Sequence, residues 1–302
     1  MKTTMKPTER KIHLAITDVF SPELGFANYD YLTVSQGKGR GNLSTQTQHS
    51  FEEKVAELDT LVAEGKMELR DWKCRYDGSQ YRVGVQAGSE AFLNIRIGPT
   101  SWGEWREDYQ RSEEEAKELQ NSGLQKHGDQ GFYLSNGLGV TVLTLTSEGD
   151  VVVGVRKSDS YDGAVHGAAG WMTFNRDVSK ISPIDDAYRE LQEKEELGGV
   201  QPNEVSAMHL IGLVAYPKTL EADFVFVAQT SKEREYFTSE AWKSAVDARE
   251  HRDLIVLSNP LQIQQLVENG RAPSGEDKKY EVLASTSYGL SCVSGYWDAF
   301  HK

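Results

Sequence analysis

The sequence predicts an α/β protein, with strands and helices alternating through residues 126–302 behind a smaller α+β region. Three observations carry this reading. Val140 to Leu145 and Val151 to Arg156 are aliphatic runs joined by Ser147-Glu148-Gly149-Asp150, the pattern of a strand hairpin. Ser182 to Gly199 reads as one capped amphipathic helix. Met208 to Tyr216, Asp223 to Ala228 and Leu254 to Leu257 then read as strands, followed by a helix opened by Asn259-Pro260.

Taken from the start, Met1 to Lys6 is basic but lacks the apolar stretch of a secretory signal. Residues 36–50 are polar and glycine-rich, which predicts a loop. Phe51, Val55, Leu58 and Val62 form the apolar face of a helix expected over Phe51 to Lys66. Strands are expected near Met67 to Trp72, Tyr81 to Gln86 and Phe92 to Ile97, and a charged helix over Glu107 to Leu119 that bridges or lids two parts. At 302 residues the chain exceeds the usual single-domain size, so an accessory domain over 1–125 and a second domain over 126–302 are expected.

The helix at 182–199 has a start, a body and a stop. Ser182 can cap the free amides, Pro183 suits the first helical position, and Asp185 and Asp186 place negative charge at the positive end of the dipole. Ile184, Ala187, Tyr188 and Leu191 recur at three- and four-residue intervals, and Gly198 and Gly199 permit a left-handed stop. Its C-terminal half is dense in acids. Carboxylates three apart share a helix face and can hold a divalent cation, whereas a solvated surface run is the ordinary alternative. At about 100° per residue, Glu190, Glu193 and Glu196 spread over roughly one third of the circumference, and Glu195 points elsewhere.

Arg189-Glu190-Leu191-Gln192-Glu193 resembles the Nudix hydrolase signature, in which Arg-Glu-U-x-Glu-Glu-x-Gly (U aliphatic) follows a glycine-led loop. Two departures stand out. Lys194 occupies the place of the last metal-binding glutamate, for which Glu196 can stand in, and the closing glycines come two residues late. A register slid by two recovers Glu195, Glu196 and Gly198 but loses Arg189-Glu190. His166-Gly167-Ala168-Ala169-Gly170 sits where the family has its glycine-rich entry, and the order of strands and helices fits the Nudix α/β/α sandwich with its mixed sheet.

Gly98-Pro99-Thr100-Ser101-Trp102, Leu138-Gly139-Val140, Arg156-Lys157-Ser158, Ile211-Gly212-Leu213 and Glu221 to Val227 are similar to one branch of that superfamily, the UDP-glucose/UDP-galactose diphosphatases. The resemblance implies a cytoplasmic enzyme that uses Mg²⁺, or Mn²⁺, to hydrolyse a UDP-sugar to UMP and a sugar 1-phosphate. It implies Glu190 and Glu193 as catalytic residues, Glu190, Glu193 and Glu196 as metal ligands, and Arg156, Gly167, Gly170 and Glu221 as substrate-binding residues. An ordinary turn at the glycines, an exposed strand end at Arg156 and a turn residue at Glu221 are the competing readings. An ADP-ribose-type substrate, or a Nudix-shaped nucleotide-binding or regulatory protein that has lost turnover, remains a second reading, to which Lys194 points.

The resemblance implies a small nucleoside diphosphate as the partner, and the sequence sets no oligomeric state. A net charge of −13 argues against nonspecific nucleic-acid binding, which draws on surplus Lys and Arg. The longest apolar runs are strand-sized, which supports no membrane span. Cys74 and Cys292 lie far apart with no metal or redox spacing, as expected of reduced thiols in a cytoplasmic protein. The seven histidines show no ligand spacing, and His166, His209 and His251 are expected to be structural or surface. Trp102 and Trp105 suit packing better than base stacking.

Overall fold

The computed structural model describes residues 32–82, 92–157, 161–192, 199–216, 219–244, 250–273 and 278–300. The first part runs β1 (Leu32–Gln36), α1 (Phe51–Ala63), β2 (Trp72–Arg82), β3 (Phe92–Ser101), α2 (Trp102–Gln110) and α3 (Glu113–His127). Then come β4 (Leu138–Leu145), β5 (Val151–Arg156), β6 (Val165–His166), β7 (Ala168–Trp171) and α4 (Pro183–Gln192). The chain continues through β8 (Val205–Ala215), β9 (Ala222–Thr230), α5 (Arg234–Thr238), β10 (His251–Leu257), α6 (Pro260–Asn269), α7 (Ala284–Gly295) and α8 (Trp297–Phe300).

Among the described residues the strands make two mixed sheets. The smaller has the order β1-β3-β2, with β1 parallel and β2 antiparallel to β3. The larger runs β10-β5-β4-β9-β8, with β6 on β5 and β7 on β4. Its strands β4 and β9 are parallel from Leu138 opposite Ala222 to Leu145 opposite Gln229. Alternate residues of β4 serve two cores, as the two-residue period of a strand requires. Leu138, Val140 and Val142 join Ala187 and Leu191 of α4 and Ile95 and Ile97 of the small sheet. Leu143 and Leu145 join Ile263 and Leu266 of α6 and Leu290 and Val293 of α7. The larger sheet is therefore the middle layer of an α/β/α sandwich, and β2 leans onto it through Cys74 N to Met172 O at 3.0 Å and Tyr76 N to Asn136 O at 2.7 Å.

Several expected elements change. The helix from Phe51 stops at Ala63, held at its start by a Ser50–Glu53 capping box. The strand expected at Met67 to Trp72 is instead a turn with a 3₁₀ helix at Leu69–Asp71, because the Asp71 carboxylate accepts from Glu68 N at 3.0 Å; the strand begins at Trp72. Of the strand expected at Tyr81 to Gln86, residues 83–86 lie outside the described residues and the first two close β2. The helix expected over Glu107 to Leu119 is two helices, since Ser101–Glu104 and Ser112–Glu115 are both capping boxes and the second starts a new helix. Strand β1 and helix α7 have no counterpart among the expected elements.

Candidate active site

Helix α4 is set as its sequence dictates. Ser182 Oγ accepts from Asp185 N at 3.2 Å, and Ala187 and Leu191 are buried against the sheet. Glu190 shares that inward sector and has no solvent exposure. It can lie there because it faces Gly170 of β7: a Cβ at Gly170 would stand 2.3 Å from both the Glu190 carboxyl carbon and Oε2. The glycine makes the room that the carboxylate occupies. Arg189 completes the arrangement, with Nη2 3.1 Å from Glu190 Oε1 and 3.3 Å from the Trp171 carbonyl oxygen it donates to, while Nε donates to Asp186 Oδ1 at 3.0 Å. Burial raises the Asp186 carboxyl, and the Arg189 guanidinium offsets part of that rise.

Glu193 and Glu196, with Lys194 between them, lie outside the described residues. Among the described residues, no three His, Cys, Asp or Glu side chains stand together as a metal-ion group. Gly167 and Gly170, expected side by side in one glycine-rich entry, belong to different surroundings. Gly167 N donates to Thr286 Oγ1 of α7 at 3.0 Å, and a Cβ at Gly167 would meet the Val142 carbonyl oxygen at 2.5 Å.

Arg156 and Glu221 sit at the ends of a second polar cluster, and β9 explains why. Residues two apart at a strand's start share a face; Glu221 is buried and Asp223 half-buried. The Asp223 carboxylate accepts from Thr141 Oγ1 and from the Tyr216 hydroxyl, each at 3.1 Å. Ser285 Oγ of α7 lies 2.9 Å from Thr141 Oγ1 and 3.3 Å from His166 Nε2. Arg156 Nη1 is 3.3 Å from His166 Nδ1 and Nη2 is 3.7 Å from Glu250. A guanidinium only donates, so His166 Nδ1 accepts and Nε2 carries the proton. Burial, with the Arg156 charge beside it, holds His166 well below the usual imidazole range, in keeping with a neutral ring.

Glu221 is enclosed by aromatic donors. Trp105 Nε1 donates to Oε2, and the Tyr161 hydroxyl donates to Oε1 at 3.3 Å. Trp105 in turn stacks on Trp102 at 4.5 Å and on Tyr109 at 5.1 Å, and meets Trp171 edge-on at 5.4 Å. Burial first, and the Asp223 charge second, push Glu221 up to about 7. Trp105 is buried as packing predicts, but Trp102 keeps 38% of its surface exposed. Trp171 joins the two clusters, its carbonyl bound by Arg189 and its ring resting on Trp105.

The structure thus brings Glu190 to Gly170, and links Arg156 to Asp223, the near neighbour of Glu221, through a chain of hydrogen bonds. Asp223, Thr141, Ser285, Tyr161 and Trp171 were not among the residues expected from sequence. Only the Glu221-x-Asp223 spacing carried a readable signal. Chemically, the site offers a carboxylate beside a guanidinium, an acid that exchanges its proton near neutral pH, and an aromatic wall.

No protein-family model matches the chain, and no curated protein matches it. Among solved structures it is similar to an ADP compounds hydrolase, at 11% identity and a TM-score of 0.35 over 75% of this chain and 95% of that one. It is also similar to a Nudix-family hydrolase from Clostridium perfringens, at 14% identity and a TM-score of 0.28 over 53% of this chain and 97% of that one. A third is the Nudix domain of Shewanella oneidensis NrtR complexed with ADP ribose, at 14% identity and a TM-score of 0.29 over 45% and 81%.

Proposed function

We propose that the chain is a Nudix-type diphosphatase that hydrolyses the pyrophosphate bond of a nucleoside diphosphate linked to another group. The observation that carries this reading is the Glu190 carboxylate, fully buried on the backbone of Gly170 with Arg189 fixing the helix to the Trp171 carbonyl. A buried acid backed by a glycine strand is a device for presenting oxygen, and structural packing alone would have been served by an apolar residue.

The donor set is all carboxylate oxygen, which suits a hard cation such as Mg²⁺ or Mn²⁺. Glu190, with Glu193 and Glu196 three and six residues further along the sequence, would hold it. The ion, when bound, neutralises phosphoryl charge and acidifies a water. Arg189 positions Glu190 by clamping the helix end to β7. Glu221 holds or releases one proton near neutral pH, and the Trp105, Tyr109 and Tyr161 rings around it exclude water. Arg156 pairs with substrate phosphate through its planar fork; Gly167 and Gly170, expected to bind it, are instead taken up by Thr286 and by the Glu190 carboxylate.

A UDP-sugar is the substrate that the sequence resemblance around residues 98–102, 138–140, 156–158 and 221–227 supports, giving UMP and a sugar 1-phosphate in the cytoplasm. The same reading keeps residues 1–125 as an accessory domain and 126–302 as the hydrolase domain. Lys194, in place of a glutamate, favours a second reading in which nucleotide is bound without turnover.

The test is a screen of UDP-glucose, UDP-galactose, UDP-GlcNAc and ADP-ribose with Mg²⁺ or Mn²⁺, beside Glu190→Gln and Glu193→Gln. Turnover abolished by EDTA and by Glu190→Gln is the expected result. Turnover untouched by either rejects the hydrolase as drawn, and tight nucleotide binding with no turnover favours the second reading.

A further inference from the structure

A cavity of about 1070 Å³ opens between the small sheet, the C-terminal end of α3 and the β8–β9 turn. None of its lining belongs to the Glu190 or Glu221 clusters. Its first distinguishing feature is backbone strain. Among the described residues, four non-glycine residues have φ in the left-handed region, and three of them line this cavity: Gln46 at 56°, Asn136 at 43° and Leu220 at 54°. Asparagine tolerates that conformation, but leucine does not adopt it without strain. Strained backbone of this kind gathers at ligand sites, where the surrounding structure holds it in place.

The second feature is the balance of charge. Asp77 and Asp129 both line the cavity, and both are already engaged. Asp77 pairs with the buried Arg75 guanidinium and accepts from Lys38 N, and Asp129 Oδ1 accepts from Gly131 N at 2.8 Å. Lys38 and Arg96, by contrast, put exposed cations on its wall. Asp129 keeps its charge, since a backbone amide does not neutralise it, but with Arg75 behind Asp77 three cations meet two carboxylates, and the balance is one positive charge inside a protein whose net charge is −13. The lining also supplies side-chain amides from Gln46 and Gln130, which bond to hydroxyl or carbonyl groups.

We propose that this cavity binds a small organic phosphate, its phosphoryl group on Lys38 and Arg96 and its polar body against the glutamine amides. A guanidinium fork suits phosphate oxygens, and the space far exceeds a bare anion. Occupancy has a short route to the second cluster: Leu220 lines the cavity while the next residue is Glu221, and Asn136 lines it while the next, Gly137, lies under the Trp171 ring. The inference is independent of the hydrolase reading, because it concerns binding without metal.

Isothermal titration of the full chain in EDTA with inorganic phosphate, glucose 1-phosphate and UMP tests it. Arg96→Glu and Lys38→Glu are compared with Lys66→Glu, the same charge change on an exposed residue elsewhere, and near-UV circular dichroism confirms that each variant is folded. An organic phosphate should bind saturably, and each of the two cavity variants should weaken it by roughly tenfold or more, the loss of a charge-assisted contact. Lys66→Glu should leave it within about twofold, and Arg96→Lys should retain part of the affinity. Absence of saturable binding by all three probes overturns the proposal. So does equal weakening by Lys66→Glu, which would mean bulk charge, or equal binding of succinate, which would mean no preference for phosphate.

Discussion

Replacing Glu221 by Gln should abolish its contribution to the pH dependence of stability. The folded carboxyl is pushed up to about 7, while an unfolded glutamate titrates near ~4.3. At pH below both values each state holds the proton and Glu221 contributes no pH dependence. As pH rises from ~4.3 towards about 7, the unfolded chain releases its proton and the folded chain keeps it, so unfolding becomes easier. A difference of roughly 2.7 units corresponds to about 4 kcal/mol of stability lost by pH 8, at ~1.36 kcal/mol per unit. Glutamine removes that loss and fits the same partners, because its carbonyl can accept from Trp105 and its amide can donate to the Tyr161 hydroxyl oxygen. Urea unfolding of both proteins at pH 5, 6, 7 and 8 in EDTA measures the effect. Because the unfolded carboxyl is already mostly ionised at pH 5, the variant should gain about 2–3 kcal/mol on the parent between the lowest and highest pH. A difference between the two that stays constant across the range would show that Glu221 ionises as an ordinary exposed glutamate, and the account of its burial would fail.

Gly170→Ala would place a Cβ 2.3 Å from the Glu190 carboxyl, an overpacking of about 1–3 kcal/mol. Thermal unfolding should show the loss, and turnover per folded molecule should fall with it; a fully active variant would detach Glu190 from the site. Lys54, 2% exposed, binds Glu104 at 2.6 Å and Glu57 at 3.1 Å, so Lys54→Met takes the nearest cation from the half-buried Glu104, which keeps Thr100 Oγ1 at 2.9 Å and Arg40 at 3.9 Å, and should destabilise by about 2 kcal/mol in denaturant titration. Glu104→Gln in the same chain should recover part of that, and no recovery would argue that Lys54 acts through packing alone. Burial pushes the Cys74 thiol well up and raises Cys292. A thiol reagent at pH 8 should label the folded chain slowly and the denatured chain at both positions, whereas fast labelling of folded Cys74 would contradict its burial.

What could be read from sequence was what local chemistry decides. Helices α4 and α6 were legible because Ser182-Pro183 and Asn259-Pro260 combine a cap with a proline at the start. The hairpin strands were legible because aliphatic runs flank a turn. The break between α2 and α3 was readable in principle, since Ser101–Glu104 and Ser112–Glu115 are local signals, but the charge pattern runs straight across it. Helix α7 was not readable. Its sequence, Ala-Ser-Thr-Ser-Tyr-Gly-Leu-Ser-Cys-Val-Ser-Gly, lacks an apolar stripe, and its small residues are explained only by contact: Gly289 lets Leu143 and Val225 approach, and a Cβ there would meet Leu143 Cδ1 at 2.7 Å. The candidate site divides the same way. Glu190 stands in a local motif, whereas Asp223 gains meaning from Thr141 and Ser285, residues distant in the chain, and no local pattern announces that meeting.

The two acid clusters use opposite faces of one strand, and this separation is what lets both exist. Val140 of β4 pairs with Gly170 and belongs to the core that α4 covers, while Thr141, next in the strand, turns to Asp223 and Ser285 on the α7 side. Like charges sharing one buried space disfavour each other's ionisation; here a backbone layer lies between them. Each side also has a different companion. Glu190 lies beside the Arg189 guanidinium, whereas Glu221 has an indole N–H and a phenol, which donate hydrogen bonds but carry no charge. A fixed cation and neutral dipoles are unequal counterparts for a desolvated carboxylate. Trp171 is engaged with both, through its carbonyl on one side and its ring on the other. Any movement of β7 that shifts Glu190 must therefore also be felt at the aromatic wall of Glu221.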